Sequence, residues 1–357
     1  MTYVVPLEAC GTHLVEAVGG KAVGLAALLR EDLRVPPGFA VSTHAYRELV
    51  GEAGLDREIQ GLLAAADSLE SRAAASRRIG DLFEELEPRA AFVDELARAY
   101  EELGEGTPVP VAVRSSAISE DAGDASFAGE HETYLWIRGA GAVTRSVLRC
   151  WASLFTPQAL TYFDRVGVLP WETAMGVVVQ RMVPAEAAGV MMTLDPITGD
   201  RSQISIEGAF GLGAAVVGGE VTPDRFSVDK VTLELRSQTI SAKHVAYRFD
   251  PARGETGLVD VPVEEQSLPC LAESEVVAIA SLGKRVERAL GAPQDIEWAV
   301  GPGPFGQREV FLLQTRPETV RSRERRASSI PGGLSGLDLV IRALGGAAPE
   351  QAPPGPG

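Results

Sequence analysis

The sequence predicts an α+β protein with two lobes that are joined by a short hinge. Two strands of the buried type, at residues 175–180 and 189–193, flank the short segment 184–188. Apolar runs bounded by glycine and proline predict further strands on both sides of this segment, and helical periodicity occurs in both halves. We expect three regions, namely a first lobe with a helical segment at 53–103, a second lobe and a basic, Pro/Gly-rich tail, at residues 1–187, 188–320 and 321–357.

The first lobe is predicted to begin with a helix near Lys21, because alanines and leucines repeat at helical spacing after the glycines of GGKAVGLAALL. A Pro-Pro-Gly turn then leads into a strand at 39–41 and a helix capped by Ser42 or Thr43. The segment 53–103 is expected to form a helical hairpin or small bundle without chemistry of its own. The lobe is completed by two strands, at residues 109–113 and 132–137, and by two helices, at residues 142–155 and 157–166.

The second lobe is predicted to alternate strands with one long helix. Its elements are strands near residues 202–207, 225–228 and 233–237, a helix at 273–290, and a closing strand pair at 295–300 and 309–314. The Pro/Gly/Ala-rich end of the chain is typical of disorder. Within it, five apolar residues of 334–344 share one face of a short helix. That helix either packs on its own domain or docks on another chain.

Composition excludes several classes of partner. The 357 residues carry a formal charge of −16 with a pI near 4.8. The negative electrostatic potential around such a chain repels nucleic acid and anionic membrane. A polyanion such as ATP would therefore need a local cationic pocket and a divalent metal. Three distant cysteines without a CxxC pair, no signal peptide and no uninterrupted apolar run of membrane length lead us to expect a soluble cytoplasmic protein.

Two cations precede segments that suit phosphate binding. Lys21 lies between a glycine pair and a helix, although the P-loop pattern GxxxxGK[ST] is not matched. Arg114 follows a strand, and a guanidinium can bind two phosphate oxygens at once. The later stretch DASFAGEHET contains Gly129 and Thr133 among small residues, which favours a lid over phosphates. The alternative is a surface arginine followed by a solvated loop.

Two further patterns concern the second lobe. The stretch GAFGLGAAVVGGE, residues 208–220, has the order GxxGxG and not the GxGxxG of dinucleotide-binding folds, so we interpret it as a loop near the site or a tight helix start. In DIEWAV, Asp295 and Glu297 share one strand face, and in LLQTRP, Gln314 and Arg316 do the same. Neighbouring strands would collect these oxygen ligands for Mg²⁺. The alternative is an exposed charged sheet face.

These motifs together carry a resemblance to a known family. In this order, GGKAVGLAALL, VPPGFAVSTHAY, VAVRSSAISEDAGDASFAGEHETYL, VVVQRMVPAEAAGVMMTLDP, EGAFGLG, VTPDRF, DIEWAV and LLQTRPETV resemble the N-terminal ATP-binding domain of phosphoenolpyruvate synthase. Pyruvate phosphate dikinase and rifampin phosphotransferase share that domain. The resemblance covers about residues 8 to 320 and implies an ATP-grasp fold, two lobes with ATP in the cleft between them.

The resemblance also implies roles for individual residues. Lys21, Arg114 and Arg316 would contact phosphates, and Gly129 and Thr133 would belong to the lid. The other implied ligands of Mg-ATP are Gln180, Met182, Val183 and Glu186 at the adenine and ribose end, Glu297 and Gln314 on Mg²⁺, and Asp295 in support of them.

The resemblance implies a missing half. In this family a histidine on a separate domain accepts the phosphoryl group, and none of His13, His44, His131 and His244 lies in such a motif. The chain therefore resembles the ATP-binding subunit of phenylphosphate synthase, which works with a histidine-bearing phosphocarrier subunit and a small-molecule acceptor. A detached domain of phosphoenolpyruvate synthase or rifampin phosphotransferase, and a non-catalytic ATP-sensing module, remain the alternatives.

Overall fold

Two antiparallel sheets and a separate hairpin carry the architecture. The computed structural model describes residues 2–117, 132–303 and 305–318, all within the unit Met1–Glu318. The first sheet consists, in spatial order, of β1 (Val4–Pro6), β2 (Gly38–Val41), β5 (Gly176–Arg181), β3 (Val111–Ser116) and β4 (Thr133–Ile137). The second consists of β13 (Arg308–Pro317), β12 (Gln294–Pro302), β6 (Ala187–Met192), β7 (Gln203–Phe210), β8 (Asp224–Asp229) and β9 (Leu235–Thr239). The hairpin is β10 (Val245–Asp250) with β11 (Glu255–Asp260).

The helices confirm the predicted α+β class and the helical segment of the first half. They are α1 (Val15–Arg30), α2 (Thr43–Glu52), α3 (Leu55–Ala64), α4 (Leu69–Glu85), α5 (Ala90–Leu103), α6 (Ala140–Ala152), α7 (Pro157–Val166), α8 (Ala214–Val217) and α9 (Glu273–Leu290). Short 3-10 helices occur at Leu7–Ala9, Thr12–Leu14, Ser153–Phe155 and Pro170–Glu172. The bounds of α7 and α9 are those that the sequence predicts.

The faces of the first sheet follow the two-residue period of its strands. In β5, Val177 and Val179 belong to the core formed with helices α2 to α7. Val178 between them belongs to the other core, which α1 shares with the second sheet. Arg114 is paired with Val178 in the sheet register, so its side chain lies on the face that is turned toward the second sheet.

Helix α1 packs between the two sheets. Its buried residues, among them Val18 and Leu25, share a core with Met191 and Trp298 of the second sheet. The stretch Thr12–Arg30 is the one helix of the described residues that is long and apolar enough to cross a membrane. Such a stretch was not predicted from the sequence, because its apolar residues do not form one uninterrupted run. Its contacts on both sides are those of a core helix.

The start of α1 agrees with the prediction once its kink is considered. The stretch Val15–Arg30 consists of two helical pieces, and the second, which carries Lys21, begins directly after Gly19, where φ is 80° and ψ is 168°. A Cβ at this position would lie 1.9 Å from the carbonyl oxygen of Ser116 in β3. Glycine is therefore required both by the backbone angles and by the close approach of the strand.

The remaining predicted strands are confirmed within a few residues, but three strands were missed. These are β1 and the two strands of the β10–β11 hairpin. The hairpin obtains its partners from remote residues, since Gly211 bridges Tyr247 and Trp136 stacks on Phe249. The chain passes from the first sheet to the second between Arg181 and Ala187; the exact lobe boundaries stay a prediction. The tail and the predicted helix at 334–344 lie outside the described residues.

Candidate functional site

Four polar side chains converge on one face of the second sheet. In the pairing of β12 with β13, Asp295 lies opposite Arg316 and Glu297 lies opposite Gln314. Ile296 and Trp298, which alternate with the two acids, are fully buried in the core against α1 and α9. The alternation thus leaves both carboxyl groups on the face opposite that core, as the sequence pattern predicts.

A register shift keeps Gln314 and Arg316 on this face. Ala299 pairs with Phe311, but between Trp298 and Glu297 the register moves by one residue, so Leu313 has no partner in β12. Strict alternation from Phe311 would have turned Gln314 toward the core. The shift has the form of a β-bulge, a device that redirects side chains in strands. Local sequence periodicity has no signal for it.

Arg114 reaches from the first sheet to this face. Its Nη2 donates to Glu297 Oε2 at 2.5 Å and to Gln314 Oε1 at 2.7 Å, and its Nη1 donates to the carbonyl oxygen of Leu313 at 3.0 Å. The side chain is 11% exposed. Its Nε is buried and has no hydrogen-bond partner in the part of the chain that the structure describes. One guanidinium therefore joins the two sheets through two side-chain oxygens and the bulged carbonyl.

Lys21 is positioned by the kinked start of α1. Its Nζ donates to the carbonyl oxygen of Ser115 at 2.6 Å, and the residue is 8% exposed. The amide of Gly20 donates to the Ala117 carbonyl oxygen and that of Ala22 to Ser116 Oγ. These bonds hold the helix start against the end of β3, where Arg114 also lies, so both predicted phosphate-binding cations meet there.

The acids of the site are held by cations. Burial raises the pKa of Glu297, but the charge of Arg114, with contributions from Lys21 and Arg316, outweighs burial and leaves that pKa below its ordinary value. Burial raises the pKa of Asp295 on balance, although Arg316 donates to its Oδ2 at 2.9 Å and 2.7 Å. Glu297 is thus ionised at neutral pH, and Asp295 fixes the guanidinium of Arg316.

Val183 and Glu186, two of the residues predicted at the adenine and ribose end, lie at the opposite end of β12. Val300 pairs with Ala187, whereas Asp295 pairs with Met192, and the five intervening steps span about 17 Å. The amide of Glu186 donates to the Val300 carbonyl oxygen at 2.9 Å. The predicted segment thus connects the sheets at one end of the face and the charged cluster lies at the other.

Not all of these predicted residues offer free side chains. Gln180 is buried and its Nε2 donates to the Pro36 carbonyl oxygen at 3.2 Å, and Val183 packs in a small apolar cluster. Met182 is half-buried and its amide donates to the Pro110 carbonyl oxygen. The side chain of Glu186 is exposed and forms an ion pair with Arg308 at 3.4 Å.

The predicted lid is only partly described. Thr133 is the first residue of β4, is exposed and pairs with Arg114 in the sheet register. Gly129 lies outside the described residues. In the glycine-rich stretch, Gly208 belongs to β7, where a Cβ would lie 2.7 Å from the ring of Trp298, and Gly211 has a φ of +80°. Gly208 therefore serves the packing of the second sheet, and Gly211 allows the close approach of Tyr247 in the hairpin.

An aromatic contact that the sequence analysis did not predict joins the first sheet to the β10–β11 hairpin. Trp136 of β4 stacks on Phe249 of the β10–β11 hairpin, with ring centroids 4.9 Å apart and planes 13° apart. The backbone of Trp136 has a φ of +61°, which is unusual for a residue with a bulky side chain. The same hairpin is bonded to the glycine-rich stretch, where the Leu212 amide donates to the Tyr247 carbonyl oxygen.

The cluster suits a metal that is shared with a bound anion. Because one nitrogen of Arg114 touches both Glu297 Oε2 and Gln314 Oε1, these two oxygens converge on a point that a cation can occupy. No group of three or more His, Cys, Asp or Glu side chains occurs among the described residues to complete a metal site. One carboxylate and one amide oxygen fit Mg²⁺, which keeps waters and takes phosphate oxygens as its remaining ligands.

Comparison with known proteins decides the family. Residues 15–331 match the model of the pyruvate phosphate dikinase AMP/ATP-binding domain. The chain belongs to this family. It is 38% identical over 351 residues to a probable phosphoenolpyruvate synthase of Methanocaldococcus jannaschii, which covers 97% of this chain and 29% of that protein.

Two other relatives extend the comparison. The phosphoenolpyruvate synthase of Aeropyrum pernix is 39% identical, over 89% of this chain and 42% of its own length. A rifampicin phosphotransferase of Streptomyces sviceus is 39% identical, over 89% of this chain and 36% of its own length. The chain thus spans less than half of the length of each of these relatives.

The fold agrees with the family. Two sheets with the charged cluster between them form the α+β architecture of an ATP-grasp protein. The solved structure of D-alanyl-alanine synthetase A from Vibrio cholerae aligns with 77% of this chain and 64% of that one, at 10% identity and a TM-score of 0.25. The assignment of the fold rests on the family and on the observed sheets.

Proposed function

We propose that this chain binds Mg-ATP between its two sheets and serves as the ATP-binding part of a phosphoenolpyruvate-synthase-like phosphotransferase. The observation that carries the proposal is the cluster in which Arg114 reaches across to Glu297 and Gln314. Lys21 and Arg316 act on the same carboxylate through their charge. Three cations around two converging oxygens are what a triphosphate with its metal requires, and they stand out in a chain whose total formal charge is −16.

Each residue has a defined task in this proposal. Glu297 and Gln314 would hold Mg²⁺, which neutralises phosphate charge when it is bound. Arg114 would bind two phosphate oxygens at once, and Lys21 would act as a point charge. Asp295 orients Arg316 through two hydrogen bonds, so that its guanidinium is fixed before the phosphates arrive. Catalysis would thus come from positioning and charge neutralisation.

The phosphoryl acceptor is proposed to be a histidine on another domain or subunit. ATP has three phosphoryl groups; AMP keeps one, the histidine takes one, and water takes the third as phosphate. A phosphocarrier subunit like that of phenylphosphate synthase would then pass the group to a small acceptor, for example a phenol. The three cysteines are buried and form no disulfide among the described residues, which suits the reducing cytoplasm in which we place this activity.

A second candidate differs only in where the histidine lies. The chain covers 29% to 42% of the phosphoenolpyruvate synthases to which it is similar. This observation favours an ATP-binding domain of a longer phosphoenolpyruvate synthase or rifampicin phosphotransferase, with the histidine on the same polypeptide. A non-catalytic ATP-sensing module would have the same cleft but would release no AMP.

Product analysis tests the proposal. The chain is incubated with Mg-ATP alone and with the histidine-bearing protein encoded beside it, and AMP, phosphate and acid-labile phosphohistidine are measured. We expect AMP and phosphate in equal amounts only when the histidine is present. ATP binding without AMP in either incubation would support the sensor, and failure to bind ATP would refute all three functions.

A matched pair of variants assigns the reaction to the cluster. Arg114→Ala removes the cation that joins the sheets and should abolish phosphohistidine formation. Arg78→Ala is the control, because Arg78 also pairs with a glutamate, Glu85 at 3.2 Å, but lies on α4, which packs on the opposite face of the first sheet from Arg114. Equal loss in both variants would show that the cluster has no special role.

A further inference from the structure

Arg114 holds the oxygens that a metal would need. Its Nη2 lies 2.5 Å from Glu297 Oε2 and 2.7 Å from Gln314 Oε1, and these are the atoms proposed above as ligands of Mg²⁺. Mg²⁺ binds oxygens at about 2.0–2.1 Å, so an ion that uses both of these oxygens would lie at the point that Nη2 occupies. A guanidinium is always charged, so it also repels a dication from this point. Arg114 Nη2 and a metal that binds both oxygens therefore cannot occupy this point together.

From this competition we propose that Arg114 gates the metal site: without nucleotide it excludes the divalent cation, and a bound triphosphate opens the site by drawing the guanidinium away. The inference rests on the proposed function, because it needs the phosphates as the competing partner of Arg114. It adds an order to that function, since the metal enters with the nucleotide or after it.

The geometry provides a route for this exchange. The bond from Nη1 of Arg114 to the Leu313 carbonyl oxygen involves neither metal ligand, so it can persist while Nη2 turns away. The Nε of Arg114 is buried and has no partner in the described part of the chain, so one further donor is available for a phosphate oxygen. A guanidinium binds phosphate oxygens in pairs. The bulge at Leu313 thus gives Arg114 a fixed point about which to turn.

The gate predicts that metal and nucleotide assist each other. If a triphosphate removes Arg114 from Glu297 and Gln314, it strengthens metal binding, and linkage requires that the metal strengthens triphosphate binding by the same factor. The charge of Arg114 is then used in both states, first on the carboxylate and afterwards on the phosphates. Free Mg²⁺ would not saturate the cleft in the absence of ATP.

Mn²⁺ binding measured by electron paramagnetic resonance tests this without any turnover. In the wild type we expect Mn²⁺ to bind at least about tenfold more tightly when a non-hydrolysable ATP analogue is present. Arg114→Gln should bind Mn²⁺ at least about tenfold more tightly than the wild type when no nucleotide is present. Adding Glu297→Ala to Arg114→Gln should remove that binding, which places the metal on Glu297.

Arg316→Gln is the matched control. Arg316 also lowers the pKa of Glu297 through its charge, but the hydrogen bonds that its guanidinium forms within the described residues go to Asp295. Arg316→Gln should therefore leave nucleotide-free Mn²⁺ binding near that of the wild type. If it strengthens Mn²⁺ binding as much as Arg114→Gln does, general charge repulsion explains the data and the gate is refuted.

Other outcomes are equally decisive. If the nucleotide-free wild type binds Mn²⁺ as tightly as Arg114→Gln, Arg114 does not exclude the metal and the gate is wrong, while Mg-ATP binding stands. If the ATP analogue does not bind at all, the proposed function fails, and the nucleotide-free comparison of wild type with Arg114→Gln still judges the gate. Circular dichroism of each variant confirms that it is folded, and the wild-type comparison needs no variant.

Discussion

Gly19→Ala tests whether the close approach of α1 to β3 builds the cation site. The backbone at Gly19 has φ 80° and ψ 168°, a region that is essentially restricted to glycine and costs other residues about 1–3 kcal/mol. The new Cβ would also lie 1.9 Å from the carbonyl oxygen and 2.4 Å from the carbonyl carbon of Ser116. Because these are backbone atoms, they cannot turn aside as the end of a flexible side chain could.

The expected loss follows from both effects. Overpacking of a tight contact costs about 1–3 kcal/mol, so with the backbone strain we expect the free energy of unfolding to fall by about 4 kcal/mol. The start of α1 must also move away from β3. Lys21 follows it and loses its 2.6 Å bond to the Ser115 carbonyl oxygen, so ATP affinity should fall as well.

Gly54→Ala separates strain from the clash. Gly54 has a φ of +69°, but a Cβ there meets no heavy atom within 4 Å, so only the left-handed backbone is penalised, by about 1–2 kcal/mol. Urea unfolding followed by circular dichroism gives both stabilities, and calorimetric titration gives both ATP affinities. If Gly19→Ala is no more destabilising than Gly54→Ala, the close approach of α1 and β3 does not hold the site together.

Three other changes probe the fold and its charges. In urea unfolding, Lys243→Met should lower the free energy of unfolding by about 3–5 kcal/mol. The substitution leaves the fully buried carboxylate of Asp224 without its ion-pair partner, Lys243 Nζ, which lies 2.7 Å away in the wild type. A loss below about 1 kcal/mol would contradict this. Arg114→Gln should raise the pKa of Glu297, since the largest cationic contribution is lost and only Lys21 and Arg316 still oppose burial. The wild-type contribution of Glu297 to stability is complete above an unfolded pKa of about 4.3 and is lost as pH falls through the lowered folded pKa, so the variant should lose less stability on acidification; an unchanged pH profile would refute this. Phe249→Leu should cost about 1 kcal/mol by removing an aromatic stack, and no change in urea unfolding would show that the stack is incidental.

Elements with local start and stop signals were predictable from the sequence. Helix α7 follows Thr156, whose Oγ1 accepts from the Ala159 amide, and it ends at Gly167, where φ is 70°. Helix α9 ends at Gly291, where φ is 74°. Caps and C-terminal glycines act over one helical turn, so their effect is visible in the sequence alone.

Features that depend on distant partners were not predictable. The kink at Gly19 exists because β3 passes beside it, and the β10–β11 hairpin is held by Gly211 and Trp136. The register shift at Leu313 depends on how β13 pairs with β12. Each of these is decided by contacts between segments that are far apart in the chain, for which periodicity and turn chemistry carry no signal.

For the site itself, the sequence by itself determined the chemical types of its residues and the strand faces of Asp295, Glu297 and Arg114, whereas the register shift decided the face of Gln314 and Arg316. The alternation of Asp295 with Ile296 and of Arg114 with Val113 follows from the two-residue period of a strand. Only the tertiary structure decided that Arg114 donates to Glu297 and Gln314, 183 and 200 positions away. The physical reason is the packing of α1 between the sheets, which brings their polar faces together so that one guanidinium spans both.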